Sequence, residues 1–256
     1  MKRNLLIGLM ALFIGAFLSA VAFADDTTTE TRPIDANITK VSLNGMATLQ
    51  LRQGPVASLV IHGDSEYIKQ LTTVQNGDVL KIDSGHGFHV FFLHSPSIRV
   101  EMTLPKLTDF TSNGVGTAQV NGFSGDDLQL NVKGAGDVTI AAHYKHLTAH
   151  SSGVASINVN DGDSESIDVS LPGAGHMVLI GHTKSLTSRL NGVGSLDAKD
   201  LKADTVTSYL NGVGSVSVFA KDSANMYLSG VGSAVVYGNP TVRNAVVSGF
   251  GKVTWE

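Results

Sequence analysis

Cysteine is absent from this chain of 256 residues. Its absence excludes disulfide staples, thiolate chemistry and cysteine-based metal sites. It also excludes a lipid-anchored lipoprotein, whose acyl chain needs a cysteine at the cleavage site. Aromatic residues make up 6% and charged residues 16%, against 28 glycines. That balance suits a narrow, tightly wound fold better than a broad core of large side chains. There is no excess of cations either: 18 Lys and Arg stand against 22 Asp and Glu, a formal charge of −4. An acidic chain without a basic stripe is a poor partner for nucleic acid. Beyond the first two dozen residues, no long stretch carries the 3.6-residue apolar period of a helix.

What is present begins with a leader. Lys2 and Arg3 precede the apolar run Leu5 to Phe23, and Ala22-Phe23-Ala24 is an A-x-A pattern before Asp25-Asp26. This predicts a secretory signal peptide over residues 1–24, with 25–33 as a linker, and an exported product, periplasmic or secreted. The apolar length alone also permits an uncleaved anchor. Loss of the two leader cations moves the formal charge from −4 to −6.

The dominant feature is a repeat. A Gly-x-small cassette recurs at Gly114, Gly134, Gly153, Gly173, Gly192, Gly212, Gly230 and Gly249, in steps of 20, 19, 20, 19, 20, 18 and 19. The second small residue is Gly in all but one, where it is Ala155. The residues four and six after the first glycine are apolar in every unit, from Ala118 and Val120 to Val253 and Trp255. Two before it come Ser112, Val132, Ser151, Leu171, Leu190, Leu210, Leu228 and Val247. A period of 2 on both sides of the cassette means strands with one buried face.

A unit of strand, cassette, strand and polar loop is too short to bury that face alone. Stacking such units does so, which predicts an all-β fold: a parallel β-helix or β-solenoid with coils of 19–20 residues over 106–256. The cassette glycines fall in the register of the buried positions and are expected to face inward or mark a bulge. The residues between them, Val115, Ala135, Val154, Ala174, Val193, Val213, Val231 and Phe250, are expected outside as an apolar ridge.

The region before the repeat is β-rich but irregular. "KVSLNGMATLQLRQG" repeats the buried offsets around Gly45, "VQNGDVLKID" carries an Asn-Gly hairpin signal, and "HVFFLHSPSIRVEMTLP" offers further strands. Residues 34–105 are therefore expected to cap the coils and supply their first layer, continuous with them in one domain. With "ITKVSLNGMATLQLRQG", "NGDVLKID" and "SIRVEMTLPKLTDFTSNGVGTAQVNGFSGDDLQLNVKGAGDVTI", the chain resembles the head GIN domain family of auto-transporter adhesins from residue 34 to 256. The specific part is "LPKL" leading into "NGVG" and then "KGAGD". The resemblance implies a β-solenoid of the cell envelope with no established enzymatic activity and no catalytic residues.

Candidate chemistry outside the cassette is sparse. The Gly-x-Gly runs lead into strands, not helices, so they do not match a nucleotide-binding loop. Asp161 and Asp163 could hold a weak ion, and His143, His146 and His150, or His86, His89 and His94, would be zinc ligands if a third group joined them. Glycan cleavage would need paired carboxylates. Five residues before each glycine, only Asp109 and Asp168 are acidic, and they are not neighbours. Three before each glycine runs a row containing His150, Ser170, Arg189, Tyr209 and Tyr227. Its imidazole, guanidinium and phenols can stack on sugars and hydrogen-bond to them, although Tyr favours strands in any case. The expected function is adhesion or ligand binding by an exported, non-enzymatic solenoid, with His150, Arg189, Tyr209 and Tyr227 as the contact row. Envelope glycans or surface proteins are the expected partners, and no cofactor or metal is implied. The alternatives are a polysaccharide-active enzyme and a periplasmic metal-binding protein.

Overall fold

The computed structural model describes residues 27–85 and 98–256. The leader expected over 1–24 and the group His86, His89 and His94 lie outside them. The fold is nearly all β, a parallel β-solenoid of about 7 turns.

Each full coil is one extended segment: β9 (Val115–Val132), β10 (Ala135–Ser151), β11 (Val154–Leu171), β12 (Ala174–Leu190), β13 (Val193–Leu210) and β14 (Val213–Leu228). The last coils are completed by β15 (Val231–Tyr237), β16 (Val242–Val247) and β17 (Phe250–Trp255). Equivalent residues pair in register and parallel, so that Ala135 lies between Val115 and Val154. The polar stretch expected as a loop is largely strand as well. Its backbone groups also need partners, and the neighbouring coil supplies them. Differences in coil length are absorbed as register shifts, between Ala141 and His143 or Asn160 and Asp163.

Burial follows the period of 2. Of the sixteen positions four and six after the first glycine, all but Val253 and Trp255 are buried, and those two, in the last coil, pack half-buried against the core. Full burial of a Val or Leu side chain stabilises by roughly 1.5–3 kcal/mol. A few hydroxyls share the interior. Ser188 Oγ donates to Ser208 Oγ at 2.8 Å on the next coil, and Tyr144 Oη donates to the Leu107 carbonyl at 2.8 Å.

The cassette glycines depart from the expected inward direction. A Cβ built on Gly134 would lie 1.8 Å from the Gly114 carbonyl oxygen, and one on Gly212 would lie 1.9 Å from that of Gly192. The missing side chain thus points along the rod axis, into the backbone of the preceding coil. That carbonyl is already in use: Gly114 O accepts from Ala135 N at 3.0 Å. The corner is therefore a stack of backbone on backbone that only glycine permits.

The opposite end of the rod is closed by the irregular region. β2 (Lys40–Asn44) and β3 (Thr48–Gln53) form a layer around Gly45, and β3 pairs with the first half of β9. β8 (Asp109–Ser112) lies between β2 and the second half of β9. β6 (Val79–Asp83) and β7 (Arg99–Leu104) pair parallel with β2 and β3 from the other side. Beyond them β4 (Ser58–Asp64) runs antiparallel to β7, and β5 (Thr72–Asn76) antiparallel to β6 through the Asn-Gly turn, where Gly77 has φ 60°.

Part of the segment expected as a linker is ordered strand. β1 (Thr27–Arg32) covers the outer edge of β4 in antiparallel register. The reason lies in Arg32, whose guanidinium donates to the carbonyls of Ile68 at 3.0 Å and Leu71 at 2.6 Å. These close the C-terminal end of the short helix α1 (Ser65–Gln70), whose N-terminus is capped by Asp64 accepting from Glu66 N. An arginine at the helix C-terminus adds donors to its last carbonyls, that of Ile68 also accepting from Leu71 N at 3.2 Å, and ties the strand down.

Candidate functional site

Outward positions on the coils form continuous rows because the register is in phase. Three before the first glycine, His150, Ser170, Arg189, Tyr209, Tyr227 and Val246 are consecutive neighbours. The row expected from the sequence is thus one physical ladder. Its residues are brought together unequally. The Tyr209 and Tyr227 rings stack with centroids 4.9 Å apart and an interplanar angle of 11°. The Arg189 guanidinium lies 5.6 Å from the Tyr209 centroid. His150 is separated from Arg189 by Ser170 and makes no contact with the aromatic part.

The centroid spacing matches the distance between paired strands, about 4.8 Å. The rings therefore lie face to face along the rod axis. Tyr209 has one face on Tyr227 and the other under Arg189, so sugar stacking on that ring, one of the modes expected from residue type, is blocked. What reaches solvent is ring edges, phenol hydroxyls and guanidinium N–H groups. Arg189 also lies 3.9 Å from Asp168, a long and exposed pair that leaves most of its donors available.

The ladder is framed by amides that the residue-type reading passed over. On one flank Asn211 Nδ2 donates to Asn191 Oδ1 at 2.9 Å, and Ser229 Oγ donates to Asn211 Oδ1 at 2.6 Å. On the other, Asn244 Nδ2 donates to Asn225 Oδ1 at 2.8 Å. The signal for these was in plain view: Asn191 and Asn211 sit in the repeated "LNGVGS". Together the three rows make an open, flat face of hydroxyl and amide groups at strand spacing.

The other candidates separate. His146 Nδ1 lies 3.0 Å from Ser166 Oγ, and the His143 ring covers Gly162. Among the described residues no three His, Asp or Glu side chains gather as a metal site would need. Asp161 and Asp163 lie on opposite sides of the sheet. Asp163 is exposed, 3.4 Å from His182. Asp161 is 2% exposed, with one carboxylate oxygen accepting from Tyr144 N at 3.1 Å and the other buried without a partner. Burial pushes its pKa up to about 6, against smaller opposing effects of the Tyr144 N–H and His143. Burial likewise holds the Tyr144 phenol far above its ordinary value, with the Asp161 charge adding to it.

The family described as "Putative auto-transporter adhesin, head GIN domain" matches residues 37–240. The chain belongs to this family. No curated protein sequence matches. Solved structures similar to this GIN domain include a "putative lipid binding protein" from Parabacteroides distasonis, at 19% identity and TM-score 0.81, covering 90% of this chain and 97% of that one. A "putative adhesin" from Bacteroides fragilis has 19% identity and TM-score 0.70, covering 91% and 98%. A third, from Parabacteroides merdae, has 18% identity and TM-score 0.72, covering 90% and 96%. At such identities the likeness shows that the GIN-domain fold is shared. Among the described residues no helix is long and apolar enough to cross a membrane.

Proposed function

We propose that this GIN domain is an exported, non-enzymatic binding module of the bacterial envelope, and that it holds envelope glycans on the face carrying Arg189, Tyr209 and Tyr227. The observation that carries the reading is the ladder: a guanidinium and two phenols in one row, flanked by hydrogen-bonded Asn191, Asn211 and Asn225. Donors and acceptors repeat there at one strand spacing, on a surface stiffened by the coil stack. A polysaccharide presents hydroxyls at regular intervals, and hydrogen bonding to such an array has no need of a cleft. The adhesin family match and the adhesins of the same fold support a binding role. On the face that carries the ladder, the spacing of carboxylates favours binding over cleavage. Asp109 and Asp168 in their shared row are three coils apart, roughly 14 Å, wider than the pair used by glycoside hydrolases.

The test is titration calorimetry with isolated envelope glycans. The double variant Tyr209→Ala and Tyr227→Ala should bind at least about tenfold more weakly, a loss of ~1.4 kcal/mol. Its melting temperature should barely move, because both rings stand on the outer face. Unchanged affinity would remove this face from the account. Release of reducing ends from the same glycans would replace binding by hydrolysis.

A further inference from the structure

The second exposed feature is the corner itself. The residues between the cassette glycines form an unbroken outward row, and Met46 extends it at the capped end through its bridge to Val115. Val154 is 66% exposed, Val193 61% and Phe250 86%. A line of aliphatic side chains held in water along a rigid edge marks an interaction surface.

The flanks say what covers it. Immediately before the first glycine and after the second small residue, eleven of the sixteen side chains are hydroxyl or amide, the exceptions being Lys133, Pro172, Asp137, His176 and Lys252. One coil carries charge on both sides of the ridge, Lys133 on one and Asp137 on the other. Both are exposed, and neither makes an ion pair among the described residues. They are four residues apart, on opposite sides of the corner.

We propose that the ridge is the seam of a homodimer in which two rods lie side by side and parallel, related by a two-fold axis along their length. That rotation keeps every coil at its own height and places the flank before the glycine against the partner's flank after it. Lys133 then meets the partner's Asp137, and Asp137 meets the partner's Lys133, while ridge residues meet their own copies. An antiparallel pair brings like flanks together at reflected heights, and Lys133 and Asp137 would face Asn211 and Ser215. The charge placement therefore selects the parallel arrangement. Eight strand steps give a ridge about 38 Å long, and the three rows span about 13 Å. Two such faces bury on the order of 1,000 Å² in total, the lower bound for a specific interface. The dimer is thus reversible, and its formation depends on concentration.

The natural absence of cysteine makes the test direct. In the full-length protein, Val115→Cys, Val193→Cys and Val231→Cys are introduced singly and oxidised mildly. A parallel seam links all three variants as dimers, since each residue faces its own copy. An antiparallel pair over the same ridge, centred on Ala174, links none of the three, and that result overturns the proposal. By sedimentation velocity, Lys133→Asp or Asp137→Lys should each weaken the dimer about tenfold, and the two together should restore it. A protein that stays monomeric at all concentrations overturns the proposal. So does a ridge variant, Val154→Lys with Val193→Lys, that keeps its fold and dimerises unchanged. Binding of the ridge to neutral phosphatidylcholine vesicles in place of a second copy also overturns it.

Discussion

Asp161 occupies an inward position at the second corner of its coil, where it has one backbone donor and an orphaned oxygen. The folded chain holds its proton up to about pH 6, whereas the free carboxyl has a pKa of 3.8. Folding therefore takes up a proton between these values. Stability is greatest below about 4 from this group and falls as pH rises through 6, by on the order of 2–3 kcal/mol. Asp161→Asn should melt at a higher temperature than the parent at pH 7.5, with the advantage shrinking toward pH 5. Equal pH dependence of the two proteins in thermal melts would mean that the carboxylate is solvated. The inward turn of this residue was hidden in the sequence. Its parity is that of the buried Ala155, Ile157 and Val159, but a polar stretch read as a solvated loop gave no reason to extend the alternation as far as Asp161.

At the scale of the strand and its corner, much more was legible. Leu190 and Leu210 are buried and Val193 and Val213 exposed, as the period of 2 required. The row from His150 to Tyr227 could be written down before any coordinates, because offsets counted from the cassette stay side by side while differences in coil length are absorbed elsewhere in the coil. What alternation could not reveal was direction along the axis. The glycines share the parity of the core positions, yet the space they leave is the neighbouring backbone. Gly134→Ala should therefore destabilise by about 3 kcal/mol or more, since a carbonyl already bonded to Ala135 would have to move. Thermal unfolding would check this, with the outward Ala135→Ser as the comparison expected to change little. Parity also failed to show the mutual stacking of Tyr209 and Tyr227, which turns the ladder from a set of ring faces into a strip of edges and hydroxyls. Residue type alone cannot distinguish the two.

For the molecule as a whole, the two ends are unlike. Antiparallel β1, β4 and β5 close one, whereas β16 is exposed along its whole length at the other. The irregular end was readable as β-rich, but the role of Arg32 in fastening β1 depends on a contact across about 40 positions of chain that no local pattern encodes. Between these ends the coils interact with their nearest neighbours, so stability is close to a sum over adjacent pairs. Removing residues 193–212 takes out one coil and joins Gly192 to Val213, restoring an intact cassette. The shortened protein should fold, with β-rich circular dichroism, a scattering envelope about 4.8 Å shorter, and Arg189 now beside Tyr227. An unfolded product would mean that the coils cooperate beyond their neighbours. The corner of stacked glycine backbone gives this modularity its meaning. Every level closes with the same atoms at the same pitch, so the protein behaves as a ruler graduated in whole turns. Lineages can change how far it reaches by copying or deleting a graduation, while the mark on each one, the side chain that a binding face displays, stays free to vary.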